Sequence, residues 1–348
     1  MMAAKIVTDS MIEIDGSFGE GGGQIVRTAV SLSAVTAKPV HITKIRLDRP
    51  KPGLAAQHAH AIAALAGICS ARTSGVEPGS SEILFVPGEI RGGSHRVEIG
   101  TAGSVTLLMQ CLLPALLRAD APSSLRIQGG TDVQWSPTID YFKSVFLPAL
   151  SYFGADVRLD LLQRGYYPRG QGIVLLEVVP RELKAARIPS RDMKAGRQVV
   201  KGISHSSNLP LHVTARQADA ASKKLLEEGY GAEIAQEVLK LASTGSGITL
   251  WSEGKGASCL GERGLAAEKV GRRAAAELID ELKSRASLDV HLADQLIPYL
   301  ALAGGSYTVR KVSLHAKTNI WTAGHFLDAE IAVIEENGIF RMESILRD

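Results

Sequence analysis

Between residues 12 and 87 the chain reads as strand, helix, strand, helix, strands, and from residue 95 the same order begins again. Residues 12–15 alternate as a short strand, 22–36 place Ile25, Ala29 and Leu32 on one helical face, 40–47 alternate again, 53–68 are helical and 82–87 form a strand. The second round gives a strand at 96–99, a helix over 103–118, a strand at 124–128, a helix over 137–153 and strands at 155–161 and 172–179. A third, shorter copy has a helix after Leu292, a strand at 307–312, a helix over 318–327 and strands at 329–335 and 338–344. Self-similarity with a period of about 85 residues predicts an α+β protein of three repeated βαβαββ-like units in a pseudo-threefold arrangement, at 10–90, 95–180 and 285–348.

Residues 184–284 follow a rhythm of their own, with a strand at 198–204, a helix over 215–228, a strand at 246–252 and a long helix over 265–284. They read as a smaller inserted domain, which leaves 1–183 and 285–348 to the larger one. At 348 residues and 45% apolar the chain can fill both cores. A net charge of only +3 makes any nucleic-acid contact local rather than a grip along a long backbone. Cys69, Cys111 and Cys259 are scattered and odd in number, which predicts neither disulfides nor a structural zinc and suits a reducing cytoplasm. The first residues carry no long apolar run and the most apolar stretch, 105–117, is too short to span a bilayer, so neither export nor membrane anchoring is expected.

Chemistry concentrates where strands hand over to helices. The run Asp15-Gly-Ser-Phe-Gly-Glu20-Gly-Gly-Gly-Gln24-Ile-Val-Arg27 packs glycines ahead of a helix, and glycine lets a backbone come close to a ligand. It is not a P-loop, because the frame opened by Gly16 and Gly21 continues with Gly22 and Gly23 where Lys and Ser or Thr are required. Nor is it a dinucleotide loop: Gly19 with Gly21 would need glycine at Gln24, and Gly21 with Gly23 would need it at Val26. Phosphate bound here would sit in another fold. Glu20, Gln24 and Arg27 are spaced to share one face at the helix start. A carboxylate there can hold Mg²⁺ and the planar Arg27 guanidinium can face phosphate oxygens. The plainer alternatives are a carboxylate placed by the helix dipole and a surface ion pair.

Arg46, Arg49 and Lys51 beside two prolines form a fixed basic loop that suits a terminal phosphate or merely solvent. His315, read at a strand end between Ser313 and Lys317, is the best nucleophile candidate, since Arg310 and Lys311 upstream disfavour its imidazolium. Most of the other eight histidines read as structural. His58 and His60, two apart, do not share a helical face, so zinc is not expected.

Five separated runs carry a resemblance: Gly19-Glu-Gly-Gly-Gly-Gln-Ile-Val-Arg27-Thr; Arg49-Pro-Lys-Pro-Gly-Leu54 with Gln57-His58; Gly100-Thr-Ala-Gly-Ser104 with Gln110; His291-Leu-Ala-Asp-Gln295; and Ser313-Leu-His315-x-x-Thr-Asn319. In order and spacing, from Asp15 to the C-terminus, they resemble the RNA 3′-terminal phosphate cyclase family. The resemblance implies units like the C-terminal domains of translation initiation factors, with a thioredoxin-like insert. It also implies a three-step reaction in which the histidine matching His315 attacks the α-phosphorus of ATP, AMP passes to an RNA 3′-phosphate, and the neighbouring 2′-hydroxyl closes a 2′,3′-cyclic phosphate. In those terms Glu20 is the carboxylate for Mg²⁺ or Mn²⁺, Arg27 acts with it beside the nucleophile, and Arg46, Arg49 and Gln57 hold the RNA end. Gln110, His291, Leu292, Ala293, Asp294 and Gln295 contact ATP, with Pro137 against adenine.

The implied partner is RNA with a 3′-terminal phosphate, with no membrane; the oligomeric state stays open, a homodimer among the options. One departure stands out, because many relatives carry tyrosine where this chain has His291. Two rival readings are a non-catalytic cyclase-like protein of ribosome assembly, which lacks the nucleophilic histidine, and an enolpyruvyl transferase, which does not explain the histidine run.

Overall fold

The computed structural model describes residues 11–190 and 198–346, whose strands form four small sheets of four strands in a mixed α+β architecture. β1 (Ile12–Asp15), β2 (Val40–Thr43), β3 (Arg72–Ser74) and β4 (Ile83–Val86) lie in the order β1-β2-β4-β3, the first pair parallel and the others antiparallel. Helix α1 (Gly23–Thr36) connects β1 to β2, and α2 (Ala56–Ile68) follows β2. β5 (Gly93–Glu98), β6 (Ser123–Gly129), β7 (Asp156–Gln163) and β8 (Gly172–Val179) are ordered β5-β6-β8-β7 with the same senses. Their connections carry α3 (Val105–Leu116) and α4, a helical run over 139–151 whose middle, Phe142–Phe146, is π-helical.

After the short β9 (Ala186–Arg187), β10 (Val199–Ser207), β11 (Gly231–Leu239), β12 (Gly245–Ser252) and β13 (Lys255–Leu260) build a sheet ordered β11-β10-β12-β13. Helices α5 (His212–Glu227) and α6 (Ala267–Leu282) pack on it and on each other. The chain then runs through α7 (Val290–Gln295), α8 (Ile297–Ala303), β14 (Gly305–Val309), α9 (Leu314–Gly324), β15 (Ala329–Glu336) and β16 (Ile339–Leu346). β9 returns as the parallel neighbour of β14, which gives β9-β14-β16-β15.

Burial, more than helix propensity, holds the centre. α3 is apolar all round and buried from Val105 to Leu116 except at Leu107 and Gln110, because it lies against both α1 and α2. Each fully buried Leu or Ile contributes roughly 1.5–3 kcal/mol, enough to tolerate Pro114 in its last turn. α1 turns Ile25, Val26, Ala29, Val30 and Leu32 inward, and α9 packs on α1 from the opposite end of the chain. The N-termini of α1 and α9 are thereby brought together. A second apolar cluster, built on Val200, Leu225, Ile248, Leu250, Val270 and Leu278, fills the β10–β13 sheet and its helices.

Most elements match the periodicity, and the differences have local causes. The strand expected over 40–47 stops at Thr43 because Lys44 and Arg46 take left-handed φ of 50° and 53°, which peels the chain away from the sheet. β3, β11 and β13 are not visible in the pattern: β3 is exposed on both faces and β13 is built from Gly, Ala and Ser. Among the described residues no helix is long and apolar enough to cross a membrane. The three cysteines are free.

A buried cation joins two of the sheets. Arg164, 3% exposed, places Nη1 3.2 Å from Asp132 and 2.8 Å from Asp140, and Nε 2.7 Å from Glu237 of β11. Beside it the Tyr166 hydroxyl meets His205 Nδ1 of β10 at 2.7 Å, and burial with Arg164 nearby depresses that imidazole to about 3, so it stays neutral. Removing one partner of a buried ion pair typically costs about 3–5 kcal/mol. Arg164→Met should therefore destabilise the protein by about 3 kcal/mol or more in urea unfolding; a loss below about 1 kcal/mol would mean that the two aspartates do not depend on this cation.

Candidate active site

The glycine-rich turn after β1 is tied down at both ends. Asp15 accepts hydrogen bonds from the Ser17 amide (3.0 Å) and hydroxyl (2.6 Å), and the Gly21 amide donates to the Phe18 carbonyl at 3.0 Å. Gly19 has φ 61°, and a Cβ built there would lie 2.3 Å from the Thr318 hydroxyl of α9. A Cβ at Gly23 would lie 1.9 Å from Cε1 of His58 on α2. The sequence suggests a backbone open to a ligand, whereas these two glycines are filled from within by Thr318 and His58. Their absent side chains let the turn seat against two helices, and that seating aims Glu20.

His315 lies in the first turn of α9, not at a strand end: β14 stops at Val309, and the Ser313 hydroxyl caps the helix by accepting from the Ala316 amide at 2.9 Å. Arg310 does not act on it, because the Arg310 guanidinium turns to Glu281, 2.8 Å away. The true neighbours are an amide and a carboxylate. His315 Nδ1 meets Gln24 Oε1 in a short hydrogen bond, and Nε2 lies 2.9 Å from Glu20 Oε2.

The amide of Gln24 is oriented by what stands behind it. Gln24 Nε2 donates to Asp294 Oδ1 at 2.6 Å, so its Oε1 is left facing the imidazole. Asp294 also accepts from Asn319 Nδ2 at 2.8 Å, and Asn319 Oδ1 in turn accepts from the Thr28 hydroxyl at 2.8 Å. Loss of solvent pushes the Asp294 carboxyl up, and His315, Gln24 and Asn319 pull it back down. An amide oxygen accepts and cannot donate, so this chain of bonds places a hydrogen on His315 Nδ1 and leaves Nε2 as the ring nitrogen that meets Glu20. Across from Nε2, Glu20 is held by Arg49, whose Nη2 donates to the Glu20 carbonyl at 2.8 Å and lies 3.5 Å from its carboxylate.

A cavity of about 430 Å³ opens beside the imidazole, and Gln24, Arg27, Gln110, Pro137, His291, Asp294, Gln295 and His315 line it. Arg27 is the free cation there: its guanidinium makes no hydrogen bond or ion pair with the described residues, and burial lowers its pKa. Gln110 Nε2 donates to Gln295 Oε1 at 2.7 Å. His291 Nε2 faces Glu277 at 3.4 Å, and that carboxylate raises the pKa of the imidazole. Leu292 and Ala293 do not reach the cavity with their side chains; they are 0% and 1% exposed and face the core. Glu20, Arg46, Arg49 and Gln57 lie outside the cavity lining, where Arg46 donates to the Gly53 carbonyl at 3.0 Å and Gln57 Nε2 stands 3.4 Å from His58 Nε2.

Several lining groups carried no sequence signal. Gly256, Ala257, Ser258 and Leu260 of β13 and Glu277 of α6 form one wall although no motif marks them. Asn319 was readable, since four residues after His315 it returns to the same helical face. For a metal, Glu20 is the carboxylate next to His315. Asp132, Asp140 and His205 also bring ligand atoms within 4.8 Å of one another, but Arg164 already supplies that cluster with a cation.

Residues 18–333 match the sequence model of the family described as RNA 3′-terminal phosphate cyclase. The chain is 54% identical to the RNA 3′-terminal phosphate cyclase of Methanosarcina acetivorans, over 95% of this chain and 99% of that one. It is 54% identical to that of Archaeoglobus fulgidus, over 94% and 99%, and 47% identical to that of Pyrococcus furiosus, over 91% and 93%. With five separated runs in register and a histidine held between an amide and a carboxylate at a cavity, the chain belongs to the RNA 3′-terminal phosphate cyclase family.

Proposed function

We propose that the protein converts an RNA 3′-terminal phosphate to a 2′,3′-cyclic phosphodiester at the expense of ATP, through AMP carried on His315 Nε2. The observation that carries this reading is the His315 environment: Nδ1 is engaged by Gln24, Nε2 meets Glu20, and the imidazole lines a cavity in which the Arg27 guanidinium has no partner among the described residues. Attack by Nε2 on the α-phosphorus forms an N–P bond and expels pyrophosphate. The ring then carries positive charge, which the bond from Nδ1–H to Gln24, backed by Asp294, stabilises. That charge keeps the imidazole a good leaving group when AMP moves to an oxygen of the RNA 3′-phosphate. The 2′-hydroxyl next attacks the 3′-phosphorus and AMP departs.

Glu20 Oε2 lies 2.9 Å from His315 Nε2, beside the nitrogen that would attack. Glu20 is an oxygen ligand of the kind Mg²⁺ takes together with phosphates, and the ion would supply charge neutralisation at the α-phosphate. Arg27 suits a phosphate oxygen within the cavity. Arg46, Arg49 and Gln57, on the Glu20 side, suit the RNA end. The cavity walls at Pro137, His291 and Gln295 suit a nucleoside, and the Leu292–Ala293 backbone supports them from the core.

The same reading extends to architecture. We infer three related units at 10–90, 95–180 and 285–348 in a pseudo-threefold arrangement, supported by the shared order of three sheets, the third completed by β9 from the start of the 184–284 segment. An inserted thioredoxin-like domain over 184–284 is supported by the β11-β10-β12-β13 order and by its own apolar cluster. Three free cysteines suit a cytoplasmic enzyme.

With α-labelled ATP and Mg²⁺ the protein should acquire acid-labile, alkali-stable label, and His315→Ala should abolish it. Label on the alanine variant at the level of the unmodified protein would displace His315 as nucleophile. Gln24→Met should slow labelling by about 100-fold while circular dichroism stays the same, the size of effect seen when one preorganised hydrogen-bonding group is lost from a reacting site. An RNA ending in a 3′-phosphate should become resistant to phosphatase in the complete reaction; continued sensitivity despite self-labelling would mean that the acceptor is a different group.

A further inference from the structure

An aromatic platform stands beside the nucleophile, outside the ATP cavity. Phe18 is 42% exposed, two residues before Glu20, whose carboxylate is 2.9 Å from His315 Nε2. One face of its ring is covered by Trp321 of α9, with centroids 4.0 Å apart and planes inclined by 14°. Trp321 is itself held by an edge contact with His325 at 4.4 Å. The turn that carries Phe18 is rigid: its amide donates to the Asp15 carbonyl at 3.2 Å, its carbonyl accepts from Gly21, and the next residue is seated on Thr318. Phe18 lines no part of the cavity, and the ring that Trp321 covers on one face is open to solvent two residues from Glu20.

We propose that Phe18 is the stacking platform for the base of the RNA's 3′-terminal nucleotide. This rests on the cyclase reading above, because it takes its position from the step in which AMP leaves His315. In that step an oxygen of the 3′-phosphate must reach the phosphorus on Nε2. The terminal base belongs to the same ribose, so it lies within one nucleoside of Nε2. Outside the cavity lining, the groups around Glu20 are of two kinds: Arg49, bonded to the Glu20 carbonyl, is the cation for the phosphate, and Phe18, two residues before it, is the apolar face for the base.

An exposed phenylalanine stacked on tryptophan gains a third layer when a base arrives. Every base has a π face, so such contact accepts any terminal nucleotide. Packing alone accounts for the face covered by Trp321, though not for an exposed ring held rigidly two residues from the Glu20 that meets His315.

The test isolates the second step. Protein already carrying AMP, unmodified or as Phe18→Ala, is mixed with an oligoribonucleotide 3′-phosphate or with the same strand lacking its terminal base. Phe18→Ala should form the adenylate at an unchanged rate but need about 10-fold more RNA for half-maximal transfer, and Phe18→Tyr should restore it. Removing the terminal base should cost the unmodified protein the same factor and cost Phe18→Ala nothing further. Equal response of the unmodified protein to both strands overturns the proposal, as does a base effect that persists undiminished in Phe18→Ala. Should Phe18→Ala fail to take up AMP, Phe18→Leu, which keeps the packing on Trp321, is read in the same way. Failure of the unmodified protein to take up AMP would instead remove the cyclase reading.

Discussion

Asp289 is a carboxylate with no solvent exposure, and three remote parts of the chain meet on it. It accepts from the Tyr141 hydroxyl at 2.8 Å, from the Gly256 amide at 2.9 Å, and from the His291 and Leu292 amides at 2.9 and 2.8 Å. Burying an ionised carboxylate costs several kcal/mol, and donors on all sides are what offset it. Burial pushes this carboxyl up, and the amides and the tyrosine pull it down. The cavity depends on that balance, since α4, β13 and α7 each contribute a wall and have no common sheet. Asp289 is also the N-cap of α7, so one side chain both starts the helix that carries His291, Asp294 and Gln295 and pins that helix to the opposite wall.

From α7 the order passes to the His315 imidazole through a single amide. Glutamine between Asp294 and His315 does what neither a carboxylate nor a hydroxyl would do: it donates on one side and accepts on the other, with no freedom about which. A carboxylate at that position would repel Asp294. A hydroxyl could rotate and leave the imidazole tautomer undetermined. The roles of α1 and α9 follow, because the apolar packing that joins them sets the two ends of this chain of bonds within reach.

The amphipathic helices and alternating strands were legible because burial on one face writes a period into the sequence. Ile25, Ala29 and Leu32 of α1 and residues 172–179 are clear cases. β13 was not, because Gly256, Ala257 and Ser258 are small on both faces and its strand character comes from pairing with β12. His315 stands out by its surroundings in sequence, although of the two cations upstream Arg310 is turned to Glu281. Its partners Gln24 and Glu20 lie almost the whole chain away, and no local pattern reports a contact of that separation. The glycines of the first turn looked like room for a ligand. Space left by a missing Cβ says only that something comes close, and here it is Thr318 and His58.

That seating has a mechanical side. Gly19 rests on Thr318, one turn along the helix from His315, with no room for even a methyl group between them. Glu20 and His315 therefore ride on one body. If the β10–β13 sheet and the walls it contributes shift to admit or release a nucleotide, the spacing between acid and nucleophile does not have to shift with them. The distance between the two side chains is thus set by the first turn and α9 themselves, not by the walls of the cavity.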